Sequence, residues 1–277
     1  MVIREVAVQV GGEVLLGRAW IPIDEVSGIL CLIHGLGEHI GRYEHVAQYL
    51  TRSGYALMGV DLFGHGRSPG PRGHLGPYWR IMAVVKECLQ EAERQAPGAA
   101  RFLYGHSMGG NIVLNYVARE NPEIAGAVVT SPWLRLAVPL PRVAEWALGL
   151  VSRVRPAFAQ PNRLASSHLS RDPAVGARYD VDPLVHNMIS AETFWGVSRA
   201  ARWVMGHPER IRLPLLLMHG SADAITDPAA SAELAEGIGA NCTLKQWDGF
   251  YHELHNEPEK TRVLEFLRDW IDSRRDR

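Results

Sequence analysis

The sequence predicts an α/β fold: a mostly parallel central sheet covered by helices on both faces, with a mainly helical cap inserted late in the sheet. Three observations lead to it. Short apolar runs alternate with segments of helical period. Several of those runs end in loops carrying Gly, His or Asp. The alternation then stops for about eighty residues, 131–212, and resumes. Length and composition agree, since 277 residues with 47% hydrophobic and 21% charged side chains can bury a large core.

The elements follow in order. Val6, Val8 and Val10 alternate with Ala7 and Gln9, and Gly11-Gly12 turns the chain into a second strand over 14–20, a hairpin. The apolar run 28–33 is short enough for a buried strand and ends at His34-Gly35-Leu36-Gly37. A helix is expected at about 43–53 and a buried strand at 56–60, closing on Asp61. After a loop rich in Gly and Pro over 62–77, Ile81, Val85, Cys88 and Ala92 mark one face of a helix. Strand 101–104, helix 111–119 and strand 124–130 continue the rhythm.

Then the pattern breaks. Val143, Trp146, Ala147, Leu150, Val151 and Val154 recur at helical spacing, and Pro156, Pro161, Asp172-Pro173 and Asp182-Pro183 punctuate the stretch beyond them. A helix is expected over 191–205. So long a connection between two sheet strands exceeds an ordinary loop, and an inserted lid accounts for it. The expected division is a core of 1–131 plus 213–277 and a cap of 132–212. Strand 213–218, helix 229–237, strand 241–247 and a last helix bearing Val263, Phe266, Leu267, Trp270 and Ile271 complete the chain.

Composition removes several function classes. Lys plus Arg is 29 against 30 for Asp plus Glu, a formal charge of -1, so no basic excess points to nucleic acid. Cys31, Cys88 and Cys242 are odd in number and lack metal-ligand spacing, which argues against a disulfide scaffold. The start, Met1-Val2-Ile3-Arg4-Glu5, does not read as a secretory signal, and no apolar run reaches the length of a membrane span. A cytoplasmic protein, at most peripheral to a membrane, is the expectation. His252-Glu253-Leu254-His255 sets its second His one residue too early for a zinc-protease motif, and neither a dinucleotide fingerprint nor a P-loop occurs. No cofactor and no metal are expected.

The strongest local signal is Gly105-His106-Ser107-Met108-Gly109. The apolar stretch 101–104 precedes it and a helical stretch comes after, which is the context of a nucleophile elbow. A serine hydroxyl needs a base, and the base needs an acid to orient it. Asp223, in Gly220-Ser221-Ala222-Asp223, and His252, in Gly249-Phe250-Tyr251-His252, occur in the order acid then His, each just beyond a strand. Asp227 competes for the acid's place but precedes Pro228 and reads as a helix start; Asp248 reads as a turn residue. His106 and His219 read as structural histidines. Two backbone donors are expected for an oxyanion: Met108 N–H, next to the nucleophile, and Leu36 N–H in the glycine-flanked loop.

Taken together, the motifs resemble a known family. His34-Gly35-Leu36-Gly37-Glu38-His39 with Gly41-Arg42-Tyr43, Asp61-Leu62-Phe63-Gly64-His65-Gly66-Arg67-Ser68, Gly105-His106-Ser107-Met108-Gly109-Gly110, Gly220-Ser221-Ala222-Asp223 and Tyr251-His252-Glu253-Leu254-His255 occur in order. They are similar to those of α/β-hydrolase serine hydrolases related to monoacylglycerol lipase, lysophospholipase-like proteins and the serine aminopeptidase group. The resemblance implies an α/β-hydrolase fold with an inserted cap. It also implies Ser107, Asp223 and His252 as catalytic residues, with Leu36 and Met108 as backbone donors. Glu38, Arg42 and His255 match positions near the site and are expected in a supporting hydrogen-bond network.

The function this implies is ester hydrolysis through an acyl-enzyme, foremost of a small lipid ester such as monoacylglycerol, to fatty acid and glycerol. A broad carboxylesterase or lysophospholipase would carry the same core motifs. An aminopeptidase or amidase would need an acidic cluster in the cap, for which Glu145, Asp172, Asp180 and Asp182 are available. The apolar cap residues suit an acyl tunnel and transient contact with a lipid surface.

Overall fold

The computed structural model describes residues 1–275. Its core is an eight-stranded sheet. β1 (Val2–Val10) and β2 (Glu13–Ile21) form the expected hairpin across Gly11-Gly12. β3 (Gly28–Ile33) is followed by α1 (Glu44–Arg52), β4 (Tyr55–Val60) and α2 (Tyr78–Gln95). Next come β5 (Ala100–His106), α3 (Met108–Glu120) and β6 (Gly126–Thr130). The inserted segment holds α4 (Arg142–Val154), β7 (Ala159–Pro161), α5 (Pro173–Val181), β8 (Met188–Ser190) and α6 (Ala191–Met205). β9 (Leu215–Gly220), α7 (Pro228–Ile238), β10 (Cys242–Trp247) and α8 (Lys260–Asp272) end the chain.

The strand order is β1-β2-β4-β3-β5-β6-β9-β10. β2 is antiparallel to β1 and β4; every later pairing in this sheet is parallel. Because side chains alternate along a strand, each central strand feeds two cores. Ile29, Cys31 and Ile33 of β3 join the core under α2, α3 and α7, while Leu30 and Leu32 join the one under α1 and α8. Leu215 and Leu217 of β9 take the first side and Leu216 and Met218 the second. This explains why the strands read as unbroken apolar runs.

Two features of the insert exceed what the sequence pattern predicts. α5 is a helix where the pattern shows only punctuation: Asp172 accepts from Ala174 N–H at 2.9 Å and Pro173 stands in the first turn, so the pair starts a helix. β7 and β8 pair as a separate two-stranded ribbon. α6 packs on α3 of the core and on α4 above it, tying the insert down. The cap also meets the core through Asp182, whose carboxylate lies 2.9 Å from His39 Nε2. Among the described residues, no helix is long and apolar enough to cross a membrane.

Candidate active site

The elbow is built by close backbone packing. Ser107 sits between β5 and α3 at φ +54°, in the left-handed region that a non-glycine residue rarely occupies. Side chains on its flanks would block the turn. A Cβ on Gly105 would lie 2.6 Å from Gly109 O, and one on Gly109 would lie 1.9 Å from Ile33 O. Those two glycines therefore let α3 lie directly against the end of β3. Met108 is the first residue of α3, so its N–H has no acceptor within the helix.

Three loops at the sheet's C-terminal edge bring Ser107, His252 and Asp223 into one hydrogen-bonded row. Ser107 Oγ lies 2.9 Å from His252 Nε2, and His252 Nδ1 donates to Asp223 Oδ2 at 2.7 Å. All three side chains are buried. Asp223 Oδ1 accepts from Ile225 N–H at 2.7 Å and Thr226 N–H at 3.1 Å, which fixes the carboxylate plane. Burial alone would raise the Asp223 carboxyl, but His252 and His219 hold it far below the usual range. Burial would likewise lower His252, yet the Asp223 charge outweighs it and holds the imidazole above its ordinary value. An imidazole held in this way can take a hydroxyl proton and return it to a leaving group.

Asp227 is elsewhere. It caps α7 through Ala229 N–H at 2.9 Å and accepts from Arg135 Nε at 2.6 Å. Asp248 accepts from the Ser221 hydroxyl at 3.0 Å in its turn. His106 bonds Thr130 Oγ1 at 3.0 Å beneath His252, and burial drives it well below its ordinary value.

The profile of the family described as serine aminopeptidase, S33, matches residues 24–259. The chain belongs to that family, within the α/β-hydrolase superfamily. It is 34% identical over 267 residues to a monoacylglycerol lipase of Mycolicibacterium smegmatis, covering 95% of this chain and 94% of that one. The crystal structure of the Paleococcus ferrophilus monoacylglycerol lipase superposes with a TM-score of 0.86 at 31% identity, over 99% of this chain and 100% of that one. An abhydrolase domain-containing protein of Dictyostelium discoideum is 34% identical over 266 residues. That match takes in 95% of this chain but only 28% of the relative, so the chain spans about a quarter of that protein. The protein is thus a serine-hydrolase-like α/β-hydrolase related to monoacylglycerol lipases and esterases.

In this α/β-hydrolase the loop after β3 is braced by a buried ion cluster. Glu38 Oε1 accepts from Gly35 N–H at 2.6 Å and from the Tyr43 hydroxyl at 2.8 Å. Arg42 donates to Glu38 Oε2 at 2.8 Å and grips Glu253 with two bonds of 2.6 and 2.7 Å. Although burial opposes it, Arg42 keeps Glu253 far below the carboxylate range. The expected network of Glu38, Arg42 and His255 therefore differs in one member. Neither ring nitrogen of His255 has a hydrogen-bond partner among the described residues. His255 instead stacks on Tyr43 with centroids 4.5 Å apart, and burial lowers it to about 3. Glu253 takes the bonded role. Sequence reasoning passed over Glu253, Tyr43, Thr226 and the contact of His219 with Asp223. Glu253 adjoins His252, and Tyr43, Thr226 and His219 lie three to five residues from the carboxylates they bond, but that spacing carries no recognisable pattern outside a helix.

Ser107 opens into a cavity of about 750 Å³. Gly35, Leu36, Glu38, Arg42, His252 and Glu253 stand at its polar part. Its apolar wall comes mainly from the insert, with Trp133, Leu136, Ala147, Leu148, Val151 and Phe194 among its residues.

Proposed function

We propose that the protein is a serine carboxylic ester hydrolase whose substrate is a monoacylglycerol, released as fatty acid and glycerol. The observation that carries this reading is the Ser107–His252–Asp223 row opening into a cavity of about 750 Å³ whose lining is mostly apolar. Similarity to monoacylglycerol lipases over nearly the whole chain supports it.

In the proposed reaction Ser107 Oγ attacks the ester carbonyl as its proton passes to His252 Nε2. Met108 N–H and Leu36 N–H receive the charge that develops on the carbonyl oxygen. Collapse breaks the ester bond, and His252 delivers its proton to the departing glycerol oxygen. Water then enters, gives a proton to His252 and its oxygen to the acyl carbon. Fatty acid leaves and Ser107 regains its proton. Asp223 stays ionised throughout and stabilises the imidazolium.

Residues 132–212 act in this reading as a cap that threads one acyl chain. Each buried methylene contributes roughly 0.8 kcal/mol, so an apolar wall favours a long chain. Two further chains would have to stay outside the mouth. The glycerol hydroxyls lose water on entry and need polar partners in the site. An aminopeptidase would instead need a free carboxylate in the cap for the substrate amine. Glu145 pairs with Arg202, Asp180 accepts from Ser166, Asp172 caps α5 and Asp182 meets His39. Their engagement favours the ester reading.

The test measures kcat/KM for mono-, di- and triacylglycerols of one acyl chain in matched micelles, beside lysophospholipids and aminoacyl arylamides. Monoacylglycerol should exceed triacylglycerol by at least tenfold. Equal values across the glycerides would leave a broad esterase. Turnover of arylamides alone would place the protein with peptidases.

A further inference from the structure

Asp223 carries a second imidazole. The oxygen that accepts from His252, Oδ2, lies 3.0 Å from Nε2 of His219 and accepts from Thr226 Oγ1 at 2.9 Å. His219 is wholly buried near the end of β9. Its other nitrogen, Nδ1, lies 2.7 Å from the hydroxyl of Ser231 on α7. A neutral ring between these two partners has one arrangement that suits both. The carboxylate cannot donate, so Nε2–H donates to Asp223; Nδ1 is then bare and accepts from the Ser231 hydroxyl. Thr226 Oγ1 also lies 3.2 Å from Nε2, on the Asp223 side, and Asp223, Thr226 and Ser231 are all buried.

We propose that His219 is a positioning residue that shares the Asp223 charge and thereby sets the basicity of His252, with Ser231 holding its tautomer. The proposal rests on the reading of Ser107, His252 and Asp223 as the reacting row. The physical ground is competition for one oxygen. A carboxylate oxygen bonded to three donors disperses its negative charge among them, and less remains to stabilise the imidazolium of His252. The rest of the surroundings does not depend on His219. Glu38 and Glu253 also favour the charged form of His252. The rings of His106 and His255, beside it, are held neutral by burial, and Arg42 is tied to the two glutamates. Asp223 is the one charged group that His219 bonds.

Two amide variants separate the halves of the ring. In His219→Gln the side-chain NH2 falls near the position of Nε2 and keeps a donor for Asp223. In His219→Asn it falls near Nδ1, reaches Ser231 and misses Asp223. The readout is the pKa of His252 followed by NMR titration of its imidazole, assigned by its absence from H252Q. H219N should raise that pKa by about half a unit or more, the size of one modest hydrogen bond, whereas H219Q stays close to the parent. The acid limb of kcat/KM should move to higher pH by the same amount in H219N only. Ser231→Ala, which retains the ring and frees its tautomer, should shift His252 in the same direction by less; it decides the matter should H219N fail to fold. A His252 pKa unchanged in a folded H219N, or in S231A where H219N does not fold, overturns the proposal. The titration needs no turnover. A parent protein with no esterase activity and no labelling of Ser107 would therefore sink the functional reading alone, while the His252 shift would still report on His219.

Discussion

Ser107 combines two properties that a structural serine does not need: a strained backbone and a hydroxyl 2.9 Å from a buried imidazole. Replacing it with Ala should remove ester hydrolysis by several orders of magnitude, leaving about 10³–10⁴-fold over water, while the fold survives. A serine-reactive organophosphate should label the parent at Ser107 and leave S107A unlabelled, read by mass spectrometry. Asp223 and Asp227 make a paired contrast four residues apart. Asp223 accepts from His252, whereas Asp227 accepts from a helix N–H and from half-exposed Arg135. D223N should cripple turnover by removing the charge that supports the imidazolium. D227N should leave kcat close to the parent and cost little stability, since Asn caps a helix about as well as Asp and the lost pair with half-exposed Arg135 is worth at most about 1 kcal/mol. Kinetics and thermal melts on both variants decide the assignment; a larger kinetic loss in D227N would reverse it.

At the scale of elements, α4 is the unusual one. Ala147, Leu148 and Val151 line the cavity, yet Val143, Trp146, Leu150 and Val154 form an exposed stripe on the neighbouring face. Val143 is 77% exposed, Trp146 64% and Val154 81%, and Phe158 beyond the helix is half exposed. A helix of a globular protein usually turns such a stripe inward. On the proposed reading of a lipid-ester hydrolase, this exposed stripe is the surface that would rest on lipid. Replacing Trp146 and Val143 with Glu should then weaken flotation with phosphatidylcholine vesicles and slow hydrolysis of monoacylglycerol presented in them. Turnover of a short, water-soluble ester should stay within about twofold, since the charges lie on the surface. Equal losses on both substrates would mean that the stripe serves the fold of the cap.

Across the whole molecule, seven buried or partly buried histidines are held below their ordinary value. Burial lowers His34, His45, His65, His74 and His106, and it brings His186 to about 4 and His255 to about 3. Once unfolded, each returns toward its ordinary value of 6.5. Between pH 6.5 and about 4 the unfolded chain therefore binds protons that the native protein refuses, and stability falls with pH across that window. His252 acts in the opposite sense. Its raised value contributes stability that is complete below pH 6.5 and is lost as pH rises through the folded value. Seven groups outweigh one, so the net slope on the acid side is toward unfolding. Urea midpoints measured at several pH values from 7 to 4 should decline, with a steepness corresponding to uptake of more than one proton. A flat profile would mean that these rings are not buried neutral in solution. The catalytic limb should behave differently, since activity falls as His252 gains its proton above pH 6.5, while the fold is still intact.

How much of this was legible in the chain depends on the range of the interactions. Apolar runs bounded by turns were enough for the parallel sheet, because a strand buried on both faces must be apolar at every position, as in 28–33 and 215–218. The elbow was legible for a similar reason: a strand, a tight Gly-x-Ser-x-Gly turn and a helix are contiguous, and their sterics are local. The order of Ser107, Asp223 and His252 was visible because each stands just beyond its own strand. Other features had no local signature. α5 was hidden because Asp-Pro reads equally as a turn or as a helix start, and packing against the neighbouring segment decided it. Helical spacing on α4 was visible, but which of its two apolar faces meets the cavity was set by the placement of the insert over the core. Glu253, and not His255, joined Glu38 and Arg42 in the network because bidentate geometry depends on where two segments 211 residues apart come to rest. Sequence alone thus determined the sheet, the elbow and the chemical kinds of residue at its edge, since these depend on short-range sterics and burial. Tertiary structure decided the ion cluster under the loop after β3, which joins segments 211 residues apart, the turn that folds His219 back onto Asp223 four residues on, and the exposed face of the cap, because each depends on how the chain is placed in space and not on a local pattern.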